Sequence, residues 1–449
     1  MDFYKRIKEE DPEIYKAIEG EWARQADGLE LIPSENYTSP AVMEAMGSIL
    51  TNKYSEGYAK KRYYGGQEFI DEIELLAIER AKKLFGVPHA NVQPYSGSPA
   101  NLAVYLATCQ PGDAIMGLNL PDGGHLTHGW KVSATAMFYK SYPYHVKADG
   151  RVDIDEVWAL AKEHKPKLLW AGATAYVFQY EYDAYAEIAD SVGAYFAADI
   201  AHVAGLIAAG AHKSPVPHAH IVTTTTHKTL RGPRGGMIMV TDRGIAKDPE
   251  LPQKIDKAVF PGLQGGPHDH QTAAIAIALK EASTKEFSAY GKQIVANSKA
   301  LASSLKSNNL TLVGDGSENH LILLDLVPLF GPGGGVFASE VLEEAGMTAN
   351  KNTIPKDPGS PFYPSGLRLG TPALTTRGMK EAEMKKVGEW IARAIHEVSS
   401  FRLPTESKER AAYLETFRSA LAQNAEIKKI REEVRAFCKN YPLPHLARK

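Results

Sequence analysis

Cysteine is nearly absent: the 449 residues hold two, Cys109 and Cys438, far apart and outside any C-x-x-C spacing. That excludes a disulfide framework and a thiolate metal site, and it suits a reducing compartment. An excess of charge of either sign is also missing. The 51 Lys and Arg offset 53 Asp and Glu to a net charge of −2, which gives no electrostatic reason to expect nucleic acid or membrane partners. No stretch approaches the ~18 apolar residues of a membrane span. The opening MDFYKRIKEEDPEIYKAIEGEWARQ is charged and amphipathic, without the apolar stretch of a secretory signal. A soluble, cytoplasmic protein is therefore expected. Internal repeats and long low-complexity tracts are lacking as well.

What is present is an ordinary globular composition, 44% apolar and 23% charged, in a chain long enough for roughly two or three domains. Residues 1–30 read as a helical arm that could pack on a partner subunit. Over 31–280, apolar strand-like runs alternate with helical periodicity, the pattern of a mainly parallel sheet with helices on both faces. DEIELLAIERAKKLFG (71–86) has a helical stripe and a glycine stop. AIMGLNL (114–120), PKLLWAGAT (166–174), AYFAADIAHVAG (194–205) and AHIVTTTTHK (219–228) read as buried strands. Their polar ends carry Thr174, Asp199, His202 and Lys228, where ligands of open α/β sheets bind. The alanine-rich, proline-free stretch 271–306 predicts one or two long helices. A smaller α+β domain is expected over 281–449, with a strand at 320–327, a helix at 338–346 and amphipathic helix towards the end. GPGGG (331–335) lacks the lysine and spacing of a phosphate-binding P-loop and reads as a turn.

The stretch VTTTTHKTLRGPRGG (222–236) concentrates the chemistry. A lone lysine is ordinarily a solvated charge. At the end of a buried strand, however, the Lys228 amine loses solvation and its pKa falls, leaving a free amine able to attack a carbonyl. The chemistry this suggests is a Schiff base with pyridoxal phosphate, which needs an acid for its pyridine nitrogen, a phosphate cradle and a group against the ring. Asp199 ends a strand, where an unpaired carboxylate is costly unless it meets a cation such as a pyridinium. Ser96, Gly97 and Ser98 precede a helical pattern, so hydroxyls, backbone N–H groups and the helix dipole converge on an anion. His125 and His128 sit in a glycine-rich loop, where an imidazole can lie flat on a ring. The H-x-x-H spacing has no acidic or thiol ligand at customary spacing, so no metal is expected. His218 and His220 alternate along a strand and read as structural, and PHDH (267–270) is weak as a metal site.

Taken in order, YSEGYAKKRYYGG (54–66), GGHLTHG (123–129), DIAHVAGLIAAG (199–210), TTTTHKTLRGPRGG (223–236) and FPGLQGGP (260–267) resemble the serine hydroxymethyltransferase family. The resemblance runs from LIPSENYTSPAVMEA to SGLRLGTPALTTRG. It implies a fold-type I pyridoxal-phosphate enzyme, related to aspartate aminotransferase, with a mainly parallel seven-stranded sheet in its large domain. By resemblance, Lys228 bears the cofactor, Asp199 faces the pyridine nitrogen and His125 stacks on the ring. Ser96, Gly97 and Ser98 hold the phosphate, joined by Tyr54 and Gly265 or Gly266 of a second subunit. Thr174, where the family often has serine, and His202 lie beside the ring hydroxyl. His227 and Arg234 flank the lysine on the cofactor side, and Thr226 positions the amine. Arg368 resembles the arginine that grips the substrate carboxylate, helped by Ser34 and a partner-subunit tyrosine, Tyr64.

The same resemblance places Glu56 and Tyr64 near the substrate hydroxyl, with Glu56 handling protons, and lines a pteridine site with Leu120, Gly124, Leu126 and Asn352. It implies reversible conversion of serine to glycine through an external aldimine and a glycine quinonoid, with the one-carbon unit passed to tetrahydrofolate to give 5,10-methylene-tetrahydrofolate. A homodimer with shared sites, or a tetramer built from it, follows. An alternative is a pyridoxal enzyme acting as a β-hydroxy-amino-acid aldolase, a transaldolase or an α-methylserine-type hydroxymethyltransferase; Glu56, Tyr64 and Asn352 favour the folate-dependent activity. The chain departs from the family pattern at Tyr95, where histidine is common, at Pro99, at Ala59 and Lys60, where Pro-Gly is usual, and after Thr174.

Overall fold

A computed structural model describes residues 4–444. Seven strands form one sheet in the order His89–Asn91, Gly236–Val240, Ile221–Thr225, Tyr195–Asp199, Leu168–Ala171, Ala114–Met116, Lys140–Ser141. The last five are parallel, and Gly236–Val240 runs antiparallel to both of its neighbours. Alternation along the strands sorts side chains into two apolar bodies. Leu169, Ala171, Phe196, Ala198 and Val222 point to one face, and Leu168, Trp170, Ala197 and Ile221 to the other. Because both faces are covered, the strands read as continuous apolar runs.

Local signals fix several boundaries. The helix Glu68–Phe85 stops at Gly86, whose φ of 69° is left-handed and free of a side-chain clash. The alanine-rich stretch forms two helices, Asp269–Ala282 and Lys285–Ser307. Thr284 separates them by turning its hydroxyl to the Phe287 N–H at 3.2 Å, an N-cap that restarts the helix. The strand expected over 114–120 ends at Met116, and Leu120–Asp122 turns as a short 3₁₀ segment. That early ending leaves the following glycine loop free to lie over the sheet edge. GPGGG leads as a turn into the helix Gly335–Glu344.

A second, antiparallel sheet has the order Thr311–Leu312, Leu321–Asp325, Gly366–Gly370, Asn350–Asn352. Its core gathers Phe337, Trp390, Phe417 and Ile430, and also takes in Leu29 and Leu31. Leu29–Glu30 pairs in parallel with Met347–Thr348. The amino-terminal segment is thus fastened to the carboxy-terminal part of its own chain. Arg377 makes the clasp: its guanidinium donates to the carbonyls of Gln25 (3.2 Å), Ala26 (2.9 Å), Gly28 (2.7 Å), Cys438 (3.1 Å) and Tyr441 (2.6 Å). Among the described residues, no helix is long and apolar enough to cross a membrane.

Candidate active site

The carboxyl ends of the parallel strands supply the central groups. Ile221–Thr225 leads to Lys228, and Tyr195–Asp199 ends in the carboxylate. Thr223 donates to Asn101 Oδ1 at 2.7 Å, so the threonine row satisfies its hydroxyls within the fold. Thr226 donates to the Pro233 carbonyl at 2.6 Å and therefore closes the turn after the lysine, leaving its hydroxyl engaged away from the amine. Asn36 donates to the Lys228 carbonyl at 3.0 Å and to Tyr290 at 2.8 Å, anchoring the lysine backbone. Burial lowers the Lys228 amine to about 8, with Arg368 and Arg234 acting in the same sense, although Asp199 favours the cation.

Asp199 is not the unpaired carboxylate expected at a strand end. It accepts from Asn101 Nδ2 at 2.9 Å, contacts His128 Nε2 at 3.2 Å, and takes the Ala201 N–H at 3.0 Å. Burial alone would raise its pKa, but the His128 contact and the Asn101 bond hold the carboxyl well below the usual range. It is an ionised group at the strand end. His128 stacks on Trp170 with ring centroids 4.9 Å apart, so this ring is structural to the carboxylate. His125 Nδ1 meets Thr127 Oγ1 at 2.7 Å, and burial lowers its pKa to about 4, keeping the imidazole neutral. One ligand atom from each of His125, His128 and Asp199 falls within 4.8 Å of the others, but the His128 and Asp199 atoms are spent on each other.

The loop Tyr95–Ser98 opens the helix Gly97–Thr108. Ser96 stands at the N-cap without capping through its side chain, so the first-turn N–H groups are not claimed by it. A Cβ on Gly97 would come within 2.7 Å of Thr225 Cγ2, and one on Gly236 within 2.6 Å of the Ser96 carbonyl. The loop therefore rests directly against the end of the lysine strand. Tyr95 explains its own place: its N–H donates to Gln264 Oε1 (3.0 Å), its hydroxyl donates to the Gly266 carbonyl (2.8 Å), and its ring stacks on His268 at 4.1 Å. His227 is half-buried and Arg234 exposed; burial, with Lys228 and Arg234 adding to it, brings the His227 imidazole down to about 3.

Arg368, on the strand Gly366–Gly370, donates to the Thr174 carbonyl and, at 3.1 Å, to Asn350 Oδ1. Among the described residues no carboxylate pairs with it, and burial lowers its pKa to about 10. A largely enclosed guanidinium without an anion invites one. Pro33 lies against Gly370, where a Cβ would meet Pro33 Cα at 2.5 Å, which brings Ser34 to the end of the same strand. The Thr174 hydroxyl donates to the Gly124 carbonyl at 2.9 Å, tying the glycine loop to this strand end. Thr353 donates to the Pro121 carbonyl at 2.6 Å, joining the Asn352 segment to Leu120, while Leu126 is exposed nearby in the chain. His202 and His320 were far apart in sequence, yet His202 Nδ1 and His320 Nε2 lie 3.2 Å apart.

A separate group gathers at Gly57–Tyr58 and Lys61–Arg62, a two-stranded hairpin. Tyr54 donates to Glu56 Oε1 at 3.3 Å and meets Tyr64 edge-on at 5.2 Å. A Cβ on Gly265 would be 3.2 Å from Glu56 Oε1, and one on Gly266 3.5 Å from the Tyr54 ring. Among the described residues no hydrogen bond or ion pair joins Tyr54, Glu56 or Tyr64 to Lys228 or Asp199. Tyr54, Tyr63, Tyr64, Ile49 and Phe69 are exposed, an apolar face on the outside of the chain. Buried Arg62 anchors it, donating to Asp71 (2.9 Å), Glu74 (3.0 Å) and the Ser55 and Gly57 carbonyls (2.9 Å each).

Sequence reasoning passed over Asn36, Asn101 as a carboxylate partner, Arg62 and His320. A polar residue inside an apolar helical pattern was the available signal for Asn101.

The model of the serine hydroxymethyltransferase family matches residues 7–391. Serine hydroxymethyltransferases of Sorangium cellulosum and Acidothermus cellulolyticus are each 52% identical over 439 residues, covering 98% of this chain and 96% and 97% of those proteins. That of Xanthomonas campestris pv. campestris is 50% identical over 438 residues, 98% of both chains. By this match over nearly the whole chain, the chain belongs to the serine hydroxymethyltransferase family.

Proposed function

We propose that Lys228 carries pyridoxal phosphate covalently and that Asp199, His125, Arg368 and a second subunit's Glu56 and Tyr64 complete the site. The reaction is that of the family: reversible interconversion of serine and glycine, with the one-carbon unit transferred to tetrahydrofolate. When bound, pyridoxal phosphate supplies an electron sink for negative charge at the amino-acid α-carbon.

The observation that carries the reading is a desolvated amine, lowered to about 8, beside an ionised buried carboxylate. At neutral pH such an amine exposes its lone pair far more often than a solvated lysine. Asp199 suits a protonated ring nitrogen, since its charge is already paid for by Asn101 and the Ala201 N–H. Neutral His125 offers a flat face without a competing charge. The free N–H groups of the Gly97 helix, with Ser96 and Ser98, suit a phosphate dianion. Arg368 binds and orients the substrate carboxylate, placing the side-chain hydroxyl away from it. Glu56 then holds or moves the proton of that hydroxyl, and Tyr64 hydrogen-bonds beside it. Leu120, Gly124, Leu126 and Asn352 form the wall against which a pteridine lies.

Sharing between two copies is supported by the exposed Tyr54–Tyr64 face and by the separation of Glu56 from Lys228. A cytoplasmic homodimer is the assembly we infer. Borohydride reduction of the loaded protein followed by peptide mapping tests the reading: the label is expected on Lys228, with serine turnover dependent on tetrahydrofolate. A label on another lysine, or none, overturns the assignment.

A further inference from the structure

Behind His202, the segment after Thr174 and the strand entry at Asn319–Leu321 enclose a cavity of about 10 Å³, room for one water molecule. Tyr180, Asp199, His202 and His320 line it, and two polar atoms of that lining set are buried without a partner, Tyr180 Oη and His320 Nδ1. Tyr180 is 6% exposed and His320 1%. A buried polar atom left unsatisfied is destabilising, and a water in the cavity is the partner such atoms ordinarily find. The walls are stitched together, so these atoms hold fixed places. Asn319 Nδ2 donates to the Tyr176 (2.9 Å) and Phe178 (3.3 Å) carbonyls, the Glu318 N–H to the Val177 carbonyl (2.8 Å), and the Gln179 N–H to Glu318 Oε2 (2.8 Å).

The consequence falls on His202. Its Nδ1 lies 3.2 Å from His320 Nε2, and burial, with the nearby charges of Lys228 and Arg368, keeps both rings neutral. One hydrogen therefore lies on this contact. If His320 Nδ1 accepts, the His320 hydrogen is on Nε2 and is donated to His202 Nδ1, so His202 carries its own on Nε2. If His320 Nδ1 donates, the order reverses and His202 Nε2 is bare.

We propose that a single water, held by the Tyr180 hydroxyl, donates to His320 Nδ1 and thereby fixes His202 as the Nε2–H tautomer, a donor towards the reacting group. A phenol is a better donor than acceptor, so Tyr180 donates to the water and leaves a water hydrogen for His320. Tyr180 and His320 are positioning residues that act through His202. The proposal rests on the reading that His202 faces the cofactor.

Neutron diffraction from deuterated holoenzyme crystals is expected to show the water between Tyr180 and His320, with hydrogens on Nε2 of both histidines. Tyr180→Phe should lower kcat by about 10-fold with the serine KM and the Lys228 label unchanged. His320→Gln retains a donor to His202 and should keep most of kcat, whereas His320→Leu loses it. A hydrogen on His202 Nδ1, a dry cavity, or wild-type kcat in Tyr180→Phe overturns the proposal. A wild-type protein that is not labelled on Lys228 overturns the cofactor reading instead, and the tautomers are then read in crystals of the protein without cofactor.

Discussion

The end of the parallel sheet and the Tyr54–Tyr64 hairpin, to which the proposed reading gives the two halves of one chemistry, are built in opposite ways. At the sheet, Lys228 and Asp199 sit on strand ends, enclosed and cross-braced by Asn36, Asn101 and His128. At the hairpin, Tyr54, Tyr63 and Tyr64 face outward and Glu56 is half-buried, while the side chain of their anchor, Arg62, is buried. The first half is braced within its own chain, while the second faces outward from an anchored base. On the proposed sharing of sites between two copies, neither half would have to be ordered on contact.

The sharpest way to break this comparison is to mix two inactive proteins. Lys228→Ala and Glu56→Gln homodimers should each be inactive or nearly so, but subunit exchange gives hybrids in which one site holds both native groups. Activity should reappear on mixing; no recovery would place Glu56 and Lys228 of one chain in one site. Alone, Glu56→Gln should lower kcat by about 10²- to 10⁴-fold while the cofactor still loads on Lys228. Next in size is the anchor: Arg62→Met leaves the buried Glu74 carboxylate without its cation, at a cost of about 3–5 kcal/mol, read as a lower denaturant midpoint. Cofactor uptake by the apoprotein should rise with pH to about 8 and then level, as the Lys228 amine loses its proton. Between about pH 8 and the ordinary lysine value the unfolded chain binds more protons than the fold, so apoprotein stability climbs across that higher window. Cofactor uptake that kept rising past pH 10 would mean a solvated lysine. The smallest effect concerns Lys60, whose φ of 65° is left-handed. Lys60→Gly should add about 1 kcal/mol of stability, measured by thermal unfolding, without moving kcat.

Lys60 also shows how an unusual backbone position is accommodated. Its strained backbone donates its N–H to Asp71 at 2.7 Å, and Ala59 donates an N–H that a proline lacks to Glu74 at 3.0 Å. Such exchanges are invisible in sequence, where Lys60 is merely one of several charges. The strands and their polar ends were legible because period, burial and turn residues are local. Asp199 and Lys228 were legible because chemistry at a strand end is unusual. The partners were not: Asn101 and His128 reach Asp199 from other segments, and His320 stands 118 residues from His202. Those pairings exist only after the sheet has closed. Arg62 was hidden for a related reason, since a basic residue reads as solvated until its acidic neighbours on the next helix are brought beneath it.

Arg377 gives the molecule an order in time. The carbonyls it holds belong to residues 25–28 and 438–441, the earliest and latest parts of the described chain. On a ribosome the parallel sheet can assemble while translation continues, and residues 29–30 can pair once Met347–Thr348 has emerged. The guanidinium clasp itself closes fully only when residues 438–441 join residues 25–28 around Arg377.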